Sequence, residues 1–194
     1  MSRFIGAERF CLKIVLLRSM IYNQRSILVY AFSNQWGTNI SHRTLLELQK
    51  ILKNNISPFE FRLIYFDPKS FFQKYIARNQ YDLIIGLGDM YTDFSKIRIE
   101  TQAKNAYNNQ PIYPFSPILL DLSLPNLDNF DSQFFVISSS MGTYNSNWMA
   151  YSIQLYINQK QPNTTQIFLH LPKKSNAAFI ANQIKELLKI NKII

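Results

Sequence analysis

The chain is poor in the residues that usually mark a metal or redox site, with one cysteine and two histidines in 194 residues. A lone Cys11 cannot form an intramolecular disulfide or a multi-thiolate zinc site, so nothing points to secretion or a structural metal, and a reduced cytoplasm is the expected compartment. Long apolar runs are missing too. The patch from Phe10 to Leu17 is interrupted by Lys13 and closed by Arg18, is too short to span a membrane, and is not followed by a convincing small-residue cleavage site. There is no internal repeat and no low-complexity segment. Gly86-Leu87-Gly88 lacks the third glycine and the immediate helix of a dinucleotide fingerprint, so no nucleotide cofactor is expected, nor any other. His42 has no paired ligand and reads as a surface residue. Charge of one sign is in excess, with a formal net charge of +9. The lysines and arginines are nevertheless scattered rather than gathered into a stripe with interleaved aromatics, which argues against a nucleic-acid partner. Abundant Asn, Ile and Lys is also the composition that A/T-biased coding produces without selection for charge.

What is present reads as one domain, since 194 residues with 47% hydrophobic content can bury one substantial core and hardly two. Ser26 to Phe32 is a continuous apolar, β-branched run, the pattern of a strand buried on both faces. Residues 1–24 precede it as an N-terminal extension of uncertain status, Met20 being an alternative start, and 25–194 form the domain. Thr44 to Leu52 sets Leu45, Leu48, Ile51 and Leu52 on one helical face, with Ser41 as cap in front and Asn54-Asn55 behind. Phe59 to Phe66 alternates as a second strand that Pro68 ends, and Ser70 to Arg78 is a helix. Tyr81 to Gly88 is a third buried strand, and Lys96 to Glu100 alternates like a short exposed one. Residues 107–131, with four prolines, read as loop. Gln133 to Ser138 is a strand, Asn147 to Asn158 an amphipathic helix, Gln166 to Leu171 the last strand and Asn176 to Ile190 the last helix. Alternating strands and helices imply an α/β fold, a single three-layer domain with a mostly parallel twisted sheet and helices on both faces.

In such sheets reactive groups gather at the carboxyl ends of strands. Three residues of complementary chemistry fall at strand ends: Glu100 closing the Lys96 to Glu100 segment, Ser146 opening the helix after Gln133 to Ser138, and His170 near the end of the last strand. A nucleophile at a helix amino terminus, a histidine base and a carboxylate to orient it make the logic of a triad. The bland readings are a helix cap for Ser146, a core histidine for His170 and the solvated face of an edge strand for Glu100.

The segments around these residues resemble the pyroglutamyl peptidase I family of cysteine peptidases. Gly142-Thr143-Tyr144-Asn145-Ser146-Asn147 is similar to the family stretch that opens its nucleophile helix, and Phe168-Leu169-His170-Leu171-Pro172 to the stretch carrying its general base. Gly86-Leu87-Gly88 and Ile97-Arg98-Ile99-Glu100, with Ala103 and Asn105, resemble the segment ending in its catalytic glutamate. Ser26 to Gly37 resembles the opening strand and the ring-binding loop. The likeness runs from about Ser26 to Leu188. It implies hydrolysis of an N-terminal pyroglutamyl peptide bond, with Glu100, Ser146 and His170 as the catalytic residues and Phe32 and Trp36 against the substrate ring. The substrate would be a peptide blocked by pyroglutamate or a similar small lactam, and assembly into a homo-oligomer is open. Two departures stand out: serine occupies the place of the nucleophilic cysteine, so activity is expected to be weak or lost, and Asp89 to Asp93 replace the family's glycine-arginine turn. A non-catalytic relative that binds a lactam or blocked terminus is the alternative, and a basic nucleic-acid-associated protein the remaining one.

Overall fold

The structure is a computed structural model that describes residues 25–52, 58–65, 67–90 and 95–194. The proposed extension, Cys11, Asn54-Asn55, Phe66 and Tyr91 to Asp93 lie outside the described residues. The apolar run after Ser26 forms β1 (Ile27–Phe32), buried on both faces because it is flanked by strands and covered by helices on either side. Helix α1 (Ile40–Leu52) starts four residues before the expected Thr44. The reason lies in Ser41, which is not a cap but a helical residue. Its N–H donates to Asp89 Oδ1 at 2.9 Å, and its hydroxyl lies 2.6 Å from the same oxygen and 2.7 Å from the Phe32 carbonyl. The buried face of α1 is Ile40, Thr44, Leu45 and Leu48, whereas Ile51, expected on it, is exposed.

Strand β2 (Phe59–Ile64) pairs in parallel with β1 and forms one edge of the sheet. Pro68 not only ends the extended chain but begins α2 (Pro68–Phe71), where its missing N–H costs nothing at the first helical position. Asp67 caps it, accepting from the Lys69 and Ser70 amides, and the helix continues as a π-helical turn, Phe72–Ile76. The expected helix thus starts two residues early and changes pitch.

Strand β3 (Leu83–Met90) runs past Gly88, so Asp89 is a strand residue. Strand β4 (Ile97–Glu100) is not the exposed strand its alternation suggests: Ile97, Ile99 and Glu100 are all buried. Short β5 (Gln102–Lys104) and β6 (Leu119–Asp121) make a separate antiparallel pair, and the proline-rich stretch around β6 is otherwise irregular. Strand β7 (Phe135–Ser138), helix α3 (Asn145–Lys160), β8 (Thr165–Pro172) and α4 (Ala177–Ile190), capped by Asn176, complete the chain.

Six strands form one sheet in the order β2-β1-β3-β8-β4-β7. Every neighbouring pair is parallel except β4 with β8. One apolar layer lies between the sheet and α1 with α4, the other between the sheet and α2, the π-helical turn and α3. This is the three-layer α/β arrangement expected, with β4 and β7 reversed. No helix among the described residues is long and apolar enough to cross a membrane.

Helix α3 departs from the amphipathic expectation. Residues Asn147 to Gln154 are buried without a break, since the irregular stretch drapes over the face turned from the sheet. Polar side chains on that face bond its otherwise unpaired backbone: Asn147 to Lys104 and Ala106, Tyr151 to Pro117, Gln154 to Ser123.

At the sheet centre, Gly86 lies beneath the Tyr30 hydroxyl and the Phe168 ring, and a Cβ built there would sit 2.5 Å and 2.6 Å from them. Both neighbours are fully buried and cannot swing away. Gly86→Ala is therefore expected to lower stability by about 1–3 kcal/mol, the usual cost of overpacking, as read from the urea midpoint at an unchanged slope.

Candidate active site

The three parallel strands β2, β1 and β3 end at one edge of the sheet, and that edge carries a cleft of about 890 Å³. Phe32, Tyr65 and Asp89 from these strand ends line one side, and Tyr107, Tyr144 and Ser146 the other. Beside it, β8 brings up His170, whose register partner on β3 is Gly88. A Cβ on Gly88 would stand 2.8 Å from Ser146 Oγ. The absence of a side chain at Gly88 thus lets the serine settle against the sheet over the register partner of His170, and no hydrogen bond joins Ser146 to His170 among the described residues.

Ser146 lies in the first turn of α3, whose cap position belongs to Tyr144, with no side-chain cap bond. Its hydroxyl is accordingly not the cap of α3, and it sits where the helix dipole is positive.

Glu100 comes from the opposite direction. Because β4 runs antiparallel to β8, Arg98 faces His170 and Glu100 faces Phe168, so the carboxyl end of β4 points away from the cleft edge. The expectation that Glu100 closes a strand at that edge does not hold. It reaches His170 diagonally across the strand pair, and its Oε1 lies 2.8 Å from His170 Nδ1. The deeper position explains its burial: Glu100 has 0% exposure and His170 7%. The edge-strand reading of Glu100 fails on the same grounds, since β7 covers β4. A carboxylate on Nδ1 fixes the imidazole so that its other nitrogen is the one left to work, the tautomer a general base needs.

Arg98 belongs to the same cluster. Its Nε lies 3.2 Å from Glu100 Oε1, and its guanidinium also donates to Ser138 Oγ and, at 2.8 Å, to the Ser140 carbonyl. The remaining oxygen, Glu100 Oε2, is buried with no hydrogen-bond partner among the described residues.

Phe32 lines the cleft and packs edge-on to Tyr30 at 6.2 Å. Trp36 does not: it is 74% exposed, in a turn organised by Asn34, whose Oδ1 accepts from the Trp36 and Thr38 amides. His42, read as a surface residue, is tied down instead. Its Nδ1 lies 2.6 Å from Ser33 Oγ, its ring meets Tyr65 edge-on at 6.3 Å, and partial burial lowers its pKa.

Sequence reasoning missed Tyr65, Tyr107 and Tyr144 as cleft residues, whereas Asp89 lies in a stretch read as a substrate loop. Tyr65 and Asp89 follow from the strand-end rule once β2 and β3 are bounded correctly. Tyr107 carries no local signal, lying in the irregular stretch.

These features define an α/β domain with a carboxylate-fixed histidine and a helix-borne serine at one sheet edge. No family model matches the chain, and no curated protein matches it in sequence. Solved structures do match its fold. Pyroglutamyl peptidase I from Bacillus amyloliquefaciens superposes with a TM-score of 0.70 at 18% identity, over 88% of this chain and 94% of that one. A mutant pyrrolidone carboxyl peptidase from Pyrococcus furiosus gives 0.71 at 20%, over 87% and 98%. The pyrrolidone carboxyl peptidase of Thermococcus litoralis gives 0.69 at 17%, over 87% and 94%. The chain shares the fold of these peptidases over nearly their whole length.

Removing the buried carboxylate takes one ion-pair partner from Arg98 and the acceptor from His170. Glu100→Ala is expected to cost about 3 kcal/mol, in line with the loss of one member of a buried pair, as read by denaturant unfolding.

Proposed function

We propose that the chain is a serine-type counterpart of the pyroglutamyl peptidases, hydrolysing the amide bond after an N-terminal pyroglutamyl or similar lactam residue. What supports this reading is the buried Glu100–His170 hydrogen bond, with Ser146 over Gly88 on the neighbouring strand, in a domain that shares the peptidases' fold. In the first step Ser146 Oγ bonds to the scissile carbonyl carbon while its proton passes to His170 Nε2. That proton then goes to the leaving nitrogen as the C–N bond breaks, leaving an acyl-serine. Water attacks the ester, gives a proton to His170, and Ser146 recovers it as the carboxylic acid departs. Glu100, bonded to His170 Nδ1, holds the ring in place and stabilises the transient imidazolium.

Serine imposes one requirement that cysteine would not. A thiol near pKa 8.5 can be ionised in advance by a helix terminus and an imidazolium, whereas a hydroxyl releases its proton only during attack. The base must therefore be neutral at rest. On the substrate side, a flat neutral lactam offers ring faces and one amide edge. Phe32, Tyr65 and Tyr107 supply aromatic surface in the cleft, and Asn39 and Asn108 supply amide groups.

The test is turnover of a chromogenic pyroglutamyl amide together with intact-mass detection of the acyl-enzyme. Wild-type protein is expected to cleave it slowly, as a hydroxyl in the place of a thiol implies, and Ser146→Ala and His170→Ala each to lose at least about 100-fold, since a nucleophile and its base fail together. A serine-directed phosphonofluoridate is expected to add once, at Ser146. Folded wild-type protein that neither turns over the amide nor takes the label would sink the peptidase reading and leave a binding scaffold.

A further inference from the structure

The cleft is longer than a lactam needs. Its volume of about 890 Å³ lies near the upper end of the roughly 300–1,000 Å³ that accommodates a drug-sized ligand. Neighbouring strands stand about 4.8 Å apart, so the end of β2, where Ile64, Tyr65 and Pro68 line the cleft, is about 10 Å from β3, on which Ser146 rests. A pyrrolidone ring reaches roughly 4–5 Å beyond the scissile carbonyl carbon, about one strand spacing. It fills the cleft as far as Phe32 on β1 and leaves the part at β2 open.

The order of strands decides which part of a substrate takes up that length. Strands β1 and β2 lie on one side of β3, and β8 with His170 on the other. The leaving nitrogen receives its proton from His170, so the departing peptide lies toward β8 and the acyl group toward β1 and β2. No β8 residue lines the cleft among the described residues. The spare length therefore belongs to the N-terminal residue of the substrate.

Ser33, directly after β1, stands midway along this wall. Its Oγ lies 2.6 Å from His42 Nδ1 and 2.9 Å from the Asn34 carbonyl, and the His42 ring is held by its edge-on contact with Tyr65. A hydroxyl has one proton and two lone pairs. If Ser33 donates to His42, both lone pairs stay open. If it donates to the Asn34 carbonyl, His42 donates to it and one stays open. With either tautomer of His42 the Ser33 proton is engaged, and what the hydroxyl offers a ligand is an acceptor. That acceptor is buried, so a ligand without a matching N–H leaves it unpaired.

We propose that the acyl side of the cleft is a site for open-chain N-acylated residues with a large apolar side chain, such as an N-acetylated phenylalanyl terminus, and not for lactams alone. An acylated terminus carries the same N–H and C=O as a lactam, but its side chain is free and reaches roughly 7 Å, far enough to meet the β2 end. Ser33, positioned by His42, accepts the N–H, the Asn39 amide donates to the acyl oxygen, and Ile64, Tyr65 and Pro68 surround the side chain. Cleavage by the route above would consume one water and release an N-acylamino acid and a peptide with a free amine. The inference rests on the peptidase reading for the direction in which the acyl group lies.

The experiment is calorimetric binding to the full-length Ser146→Ala protein, which keeps turnover out of the measurement. The probes are N-acetylphenylalaninamide, pyroglutamide, and the acetate ester of phenyllactamide, in which oxygen replaces the N–H. The acetylated amide is expected to bind at least about tenfold more tightly than pyroglutamide and at least about tenfold more tightly than the ester. Adding Ser33→Ala should bring amide and ester within about twofold of each other, because the acceptor that tells them apart is gone. A serine that merely holds the loop would weaken both alike and keep their ratio, which overturns its assigned role. Should the Ser33→Ala protein fail to fold, the amide-to-ester ratio in the parent decides, and a ratio under about threefold overturns that role. An acetylated amide that binds no more tightly than pyroglutamide, or not at all, overturns the site. Wild-type protein that cleaves a pyroglutamyl amide while Ser146→Ala ignores the acetylated one keeps the peptidase reading and loses this site. Protein that binds the acetylated amide as expected but cleaves neither kind of substrate keeps the site and loses the peptidase reading.

Discussion

A carboxylate with no solvent exposure is the constraint around which this end of the molecule is arranged. Charge that deep is tolerated only when partners replace the lost water, and Glu100 has two on a single oxygen. Both come from the two strands that meet antiparallel. Had β4 run with β8, residues two apart on one strand would have faced residues two apart on the other in the same order, and the diagonal that joins Glu100 to His170 would have pointed away from the cleft. The reversal of β4 and β7 is therefore what makes a charged triplet compatible with an otherwise parallel, apolar sheet.

The absence of a side chain matters as much as the charges. Gly86 and Gly88 stand two apart on β3 and face the same side. The first makes room for Tyr30 and Phe168 to pack over the sheet, and the second makes room for Ser146. A strand that is apolar but for Asp89 thus has a groove along the face turned toward α3, deep enough to seat a helix terminus against the backbone.

How much of this could be read from residues alone depended on whether a signal was local. Buried strands announce themselves by continuous apolar runs, so β1, β3 and β8 were legible nearly to their ends, as was α4, expected over Asn176 to Ile190. The alternation of Lys96 to Glu100 is that of a strand but not of an exposed one, because on its polar face Arg98 bonds to Glu100 and Glu100 to His170 rather than to water. Ser41 looked like a cap because nothing near it in sequence reveals Asp89, 48 positions away. Tyr107 and Tyr144 in the cleft, and the tethering of His42, likewise depend on contacts between segments far apart in the chain. Serine at position 146, histidine at 170 and glutamate at 100 were singled out by strand position together with the resemblance to the pyroglutamyl peptidase I family, whereas the partnership of Arg98 required the register.

The irregular stretch draped over α3 has a mechanical meaning. Tyr107 and Asn108, which wall the cleft, are bonded to Asn145 and Thr143 at the start of α3, and the backbone just before them is pinned by Asn147. Ser146 sits in the middle of that lattice. Cleft wall and serine consequently form one stiff body rather than a loop beside a helix, and they open or close together on whatever timescale the segment loosens. Any ligand that presses on Tyr107 is pressing, through Asn145, on the residue next to the serine.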